Sequence, residues 1–191
     1  MQKGLKKGIY LGSCLAFHSN YNLDYNDIKP YEHVNVLGKM EEIDLTNYDY
    51  FVCTPPCNFY SRARGNKISA YALETKHLLP DMIIKLSKTG KPFLIENVIN
   101  RKRFEEEGIY SICEKLGVKI IEYSRHTYFT NFSITTEDIP SRQDFTYGGH
   151  RIDYGDWFSK YNQGGYNVYH FVEKWLRLVN EFIGKGVIGG A

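Results

Sequence analysis

Apolar residues along this chain follow two rhythms, short solid runs and wider helical spacing, and they alternate. The run Lys7-Gly8-Ile9-Tyr10-Leu11-Gly12-Ser13-Cys14-Leu15-Ala16 predicts a short buried strand leading into a glycine-containing turn. Tyr48 to Cys53 predicts a second strand, which must leave its sheet at Pro55-Pro56 because proline donates no ladder hydrogen bond. A turn at Lys88-Thr89-Gly90-Lys91 introduces a third, Pro92-Phe93-Leu94-Ile95, ending at Glu96-Asn97, and two more are expected at Val118 to Glu122 and Thr127 to Phe132. Between the strands, Leu73, His77, Leu78, Met82, Ile83 and Leu86 recur at helical spacing, with Pro80 placed to kink or divide that helix. Further helices are expected at Arg103 to Leu116 and at Tyr166 to Ile183, the latter with Val168, Phe171, Val172, Trp175, Leu176, Val179 and Phe182 on one broad apolar face. Ser19 to Pro30 reads as loop, and from Thr135 to Gln163 the pattern dissolves. The alternation predicts an α/β protein with a mostly parallel sheet.

Composition sharpens this picture in two respects. With 191 residues and 42% hydrophobic content, the chain is expected to form one domain over residues 1–191. The 24 Lys and Arg against 22 Asp and Glu leave a formal charge of only +2, so contact with a polyanion would need a local basic face. Cys14, Cys53, Cys57 and Cys113 are unevenly spaced and form no metal-ligand pattern. No stretch approaches the roughly 20 apolar residues of a membrane span. The basic start Met1 to Lys7 is followed by too short an apolar run for a signal peptide, so a reducing cytoplasm is the expected setting.

In open α/β sheets, chemistry collects beyond the carboxyl ends of strands, and Cys57 and Glu96 both fall there in this reading. A thiol becomes a nucleophile when cationic neighbours lower its pKa, and Arg62 and Arg64 follow Cys57 closely. The other three cysteines read as small core hydrophobes. Arg62, Arg64, Lys67, Arg101, Lys102 and Arg103 could line a phosphate path. His126, Tyr123, Tyr128 and Phe129 read as packing residues.

These residues carry a family resemblance. Thr54-Pro55-Pro56-Cys57-Asn58-Phe59-Tyr60-Ser61-Arg62-Ala63-Arg64 resembles the nucleophile loop of cytosine-C5 DNA methyltransferases, and Phe93-Leu94-Ile95-Glu96-Asn97-Val98 resembles their Glu-Asn-Val strand end. Tyr123-Ser124-Arg125-His126-Thr127 is similar to the family's Gln-x-Arg-x-Arg segment, with Arg125 at the first arginine and Thr127 where the second stands. Gln163-Gly164-Gly165-Tyr166-Asn167-Val168 is similar to the closing Gly-Asn-x-Val segment ahead of the last helix. The family's first strand ends in a Phe-x-Gly-x-Gly-Gly loop, whereas this chain has Leu11-Gly12-Ser13-Cys14, and Gly38-Lys39 stands in place of a Gly-Asp.

The resemblance implies a truncated Rossmann-like methyltransferase core, with an irregular insert at about 133–163 in place of a target-recognition domain. It implies that the Cys57 thiolate adds to C6 of a flipped cytosine, that Glu96 hydrogen-bonds N3, and that Arg125 meets the base carbonyl or a phosphate. The methyl donor would be S-adenosylmethionine, held by Gly12, Ser13, Pro55 and Asn167. A second strand with its ribose-binding acid scarcely fits between Gly12 and Gly38, so Glu41, Glu42 or Asp44 would substitute. Nucleic acid, DNA or else RNA, would meet Asn58, Ser61, Arg62, Arg64, Asn97 and Thr127, with Asn97 orienting the Cys57 loop. A partner chain could supply target recognition. Amino-group methyltransferases and thymidylate synthases share the short proline signature, but neither accounts for Phe93 to Val98. A catalytically silent or split-subunit nucleic-acid-binding module on the same fold is the competing expectation.

Overall fold

In the computed structural model the described residues are 6–12, 18, 20–61, 68–139 and 157–185, with side chains of the last segment described from Val168 onward. Strands β1 (Gly8–Leu11), β2 (Leu23–Asp27), β3 (Val36–Leu37), β4 (Tyr50–Cys53), β5 (Phe93–Val98), β6 (Lys119–Tyr123) and β7 (His126–Thr130) form one sheet in the order β3-β2-β1-β4-β5-β7-β6. Parallel pairing runs from β3 through β5, while β7 lies antiparallel to both β5 and β6. The protein is therefore α/β with a mostly parallel, mixed sheet.

Helices α1 (Ala70–Thr75), α2 (Leu78–Ser87), α3 (Arg101–Glu106) and α4 (Ile109–Leu116) precede α5 (Trp157–Gly184). Side chains alternate across the strands, so one face gives Ile9, Leu11, Phe51, Phe93, Ile95 and Phe129 to a core with Leu79, Met82 and Ile83 of α2, Phe104 of α3 and Ile109 of α4. The other gives Tyr10, Tyr25, Tyr50, Val52, Leu94 and Tyr128 to α5, whose Phe171, Val172, Trp175, Leu176 and Val179 are wholly buried or nearly so. Trp175 Nε1 donates to Thr130 Oγ1 at 3.2 Å, which fixes α5 across the reversed strand.

Several elements depart from the sequence expectations. The expected loop Ser19 to Pro30 contains β2. Its polar side chains find partners outside the strand: Asn26 Nδ2 donates to the carbonyls of Val36 and Gly38, each at 2.9 Å, while Asp24 accepts from Tyr48 Oη at 2.8 Å and pairs with Lys7 at 2.7 Å. The first long helix is divided at Lys76-His77, leaving Pro80 in the first turn of α2, where its missing N–H costs nothing. The second breaks at Gly108, whose φ of 67° falls in the left-handed region. The last two expected strands form a hairpin and do not continue the parallel order, with Ser124 at φ 57° turning the chain. Helix α5 begins ahead of the expected start, so the segment matched to the closing Gly-Asn-x-Val lies inside it.

Candidate active site

The strand order reverses between β1 and β4, and in open α/β sheets it is beyond the carboxyl ends at such a reversal that a binding crevice forms. Gly12 closes β1 there: its N–H donates to Asn26 O at 3.0 Å, and its carbonyl accepts from the Thr54 hydroxyl. With φ at +73° and space for a Cβ only 2.7 Å from the Thr54 carbonyl, the position suits glycine alone. Thr54 N in turn donates to Leu11 O at 2.9 Å, so the chain leaving β4 is held against the end of β1.

From there Pro55 and Pro56 carry the chain to Cys57, whose carbonyl accepts from Tyr60 N at 3.0 Å and Ser61 N at 2.8 Å. That turn half-exposes Cys57, Asn58 and Ser61 and buries Phe59 and Tyr60. Side chains from outside the turn hold it. Asn97, wholly buried on β5, donates from Nδ2 to the Pro55 carbonyl at 3.3 Å, and Asn100 Nδ2 donates to Tyr60 O at 2.7 Å. Arg103 donates to Phe59 O and stacks its guanidinium 4.5 Å from the Phe59 ring centre, with Lys76 on that ring at 5.3 Å. The cysteines differ accordingly. Burial, reinforced by the charge of Glu96, pushes the Cys53 thiol far up, and burial pushes Cys113 up to about 11, whereas Cys57 is partly open to solvent. Cys14 lies outside the described residues.

Glu96 lies within β5, only 5% exposed, and not just beyond the strand end as its sequence position suggested. Its Oε1 is 2.6 Å from His126 Nδ1 on β7. Because β4 and β5 pair with Cys53 opposite Ile95, Thr54 and Glu96 continue side by side, and the Asn97 bond to Pro55 ties the Cys57 loop to the residue that follows Glu96. Cys57 is two residues beyond Pro55, a reach of at most about 7 Å of chain. Arg125 is exposed in the hairpin turn, whose carbonyl accepts from Ile99 N at 3.1 Å, so it stands at this same edge of the sheet.

Other expected contacts fare differently. Thr127 is wholly buried opposite Asn97, so its side chain packs inside the protein and is not presented to a nucleic acid. Asn97 is equally buried and acts inward. Ser13, Arg62, Arg64 and Lys67 lie outside the described residues, and Asn167 is described only as a backbone position within α5. In the basic run at α3, Arg101 pairs with Glu122 and Lys102 with Glu106 while both remain exposed, and Arg103 turns to the Phe59 loop. Glu41 and Asp44 line a groove of about 810 Å³ beside α2, with Lys88 and Lys91 at the amino edge of the sheet and away from the crevice.

Three residues were not found by sequence reasoning. Asp27 ends β2 beside the crevice and was hidden because β2 itself read as loop. His126 reaches Glu96 only through the hairpin register, and Asn100 caps α3 while gripping Tyr60. Among the described residues no group of His, Cys, Asp or Glu could hold a metal ion, and no helix is long and apolar enough to cross a membrane. No protein-family model matches the chain, and no curated protein matches its sequence.

Proposed function

We propose that this chain is a cytosine-C5 methyltransferase-like enzyme acting on nucleic acid, built on a reduced Rossmann-like methyltransferase core. The observation that supports the reading is the junction of β4 and β5, where the Asn97 amide, next in the chain to the buried Glu96, holds the Pro55 carbonyl two residues before Cys57. In this reading the Cys57 thiolate forms a bond to C6 of an extruded cytosine as the C5–C6 π pair shifts toward the ring. Glu96 gives N3 a proton, or shares one with it, so that the displaced charge is neutralised. Once the C5 pair has taken the methyl group, with that group's bond to the donor sulfur broken, loss of H5 to water would return the pair to the C5–C6 bond and expel the Cys57 thiolate, and N3 would return its proton to Glu96. Arg125, exposed at the same edge, is the candidate for a phosphate or the base carbonyl.

The crevice fits a nucleotide-like donor in three respects. Gly12 turns in the left-handed region at the reversal of strand order, Asp27 supplies a carboxylate at the end of the next strand, and Asn26 Oδ1 is buried without a hydrogen-bond partner among the described residues. S-Adenosylmethionine, when bound there, supplies an electrophilic methyl group. Gly12 and Asp27 would hold it, and Pro55 would border it. The alternative of a catalytically silent or split-subunit module draws on one observation, the short connection between β1 and β2 over residues 12–22. DNA is the favoured polymer and RNA the other candidate.

A trapping experiment tests this. An oligonucleotide with fluorine at C5 of its cytosines cannot release H5, so incubation with S-adenosylmethionine should leave it covalently joined to the protein, visible by intact mass. The adduct should be absent with Cys57→Ser. No adduct with the unaltered chain, on single-stranded or duplex DNA or RNA, rejects the reading.

A further inference from the structure

Glu96 has one oxygen held and one without a hydrogen bond among the described residues. Oε1 is 2.6 Å from His126 Nδ1, and Oε2 makes no hydrogen bond among the described residues. The pairing follows from strand register: Glu96 stands opposite Tyr128, and His126, two residues along β7, shares its face as a diagonal neighbour. Both side chains are sheltered, Glu96 at 6% and His126 at 18% exposure, so their contact is little weakened by water. The neighbouring Tyr128 Oη is buried without a hydrogen-bond partner among the described residues, which leaves His126 as the group that orients the carboxyl. The ring is itself set in place by the hairpin, with Ser124 at φ 57° and Ile99 N bonded to Arg125 O.

We propose that His126 is a positioning residue for the cytosine chemistry. Its Nδ1–H donates to Oε1, fixes the rotation of the carboxyl and directs Oε2 toward the base. When Oε2 passes its proton to N3, negative charge develops on the carboxylate, and the Nδ1–H bond strengthens as it does. No proton leaves His126. The stabilisation arises as the proton moves and therefore acts on kcat more than on KM. This inference rests on Glu96 being the group that meets N3, and it adds a residue that packing alone would have explained.

The test is a double-mutant cycle on methyl transfer to cytosine-containing single-stranded and duplex DNA of mixed sequence, with S-adenosylmethionine as donor. His126→Phe should lower kcat on the order of 100-fold and leave KM within about threefold. His126→Asn, whose amide N–H can stand near the lost Nδ1–H, should recover most of the rate. In a Glu96→Gln background the His126→Phe change should cost little more, because the two residues act as one unit. An unchanged kcat in His126→Phe, or an equal loss in both backgrounds, overturns the role while leaving the Cys57 reaction standing. If His126→Phe does not fold, the Asn variant decides: a 100-fold loss there, with normal thermal unfolding, rejects the hydrogen-bond role. A wild-type chain that methylates neither DNA removes the reading and the inference together.

Discussion

Asn97 ties β5 to the loop that carries Cys57. Its Nδ2 donates to the Pro55 carbonyl at 3.3 Å, its Oδ1 accepts from Val98 N at 2.9 Å, and it has no exposed surface. Asn97→Ala would strand a carbonyl and an N–H in a dry interior, a loss of about 1–3 kcal/mol readable from urea unfolding. It should also slow adduct formation, since the Cys57 loop loses its tie to β5. Normal stability in that variant would show that the loop is held from elsewhere. At this scale the Cys57 turn and the Glu96 strand were legible as local structure, since Pro55-Pro56 and the run Phe93 to Ile95 mark them in the sequence itself. His126 was not, because its partner lies thirty positions away and is brought to it only by pairing with β5.

The elements most plainly written in the sequence were those whose apolar run or stripe is long. Strands β1, β4 and β5 and helix α5 are solid or one-sided enough that a single reading fits. Strand β2 was illegible for a physical reason: Leu23-Asp24-Tyr25-Asn26-Asp27 is rich in residues disfavoured in strands, and their cost is offset only once Lys7, Asn35, Tyr48 and β3 supply partners. That one omission carried others with it. Without β2 no strand end is expected at Asp27, and the acids expected from the sequence, Glu41, Glu42 and Asp44, lie in the connection toward β4. The hairpin of β6 and β7 was read as further alternation because periodicity reports a strand but not its direction.

Across the molecule, His18 is tied to the far helix α5. This side chain is buried, its Nδ1 is 2.7 Å from Glu173 Oε2 of α5, and its ring stacks on Tyr169 at 4.5 Å. Burial holds His18 below the ordinary histidine value of 6.5, and Glu173 offsets that only in part. The unfolded chain therefore takes up a proton that the folded chain refuses, so stability is full above 6.5 and declines as pH falls below it. Urea midpoints should drop from about pH 7 to about pH 5, and His18→Gln should flatten that slope. An identical slope in the variant would assign the effect to other groups. The central claim, that Cys57 is a nucleophile toward cytosine, is tested most directly by nucleoside mass spectrometry of DNA and RNA from cells expressing this chain, beside cells expressing Cys57→Ala. A cytosine carrying one added methyl group in the first and absent from the second is the predicted result. Unmodified cytosine in both polymers, or a modification that survives Cys57→Ala, would contradict it.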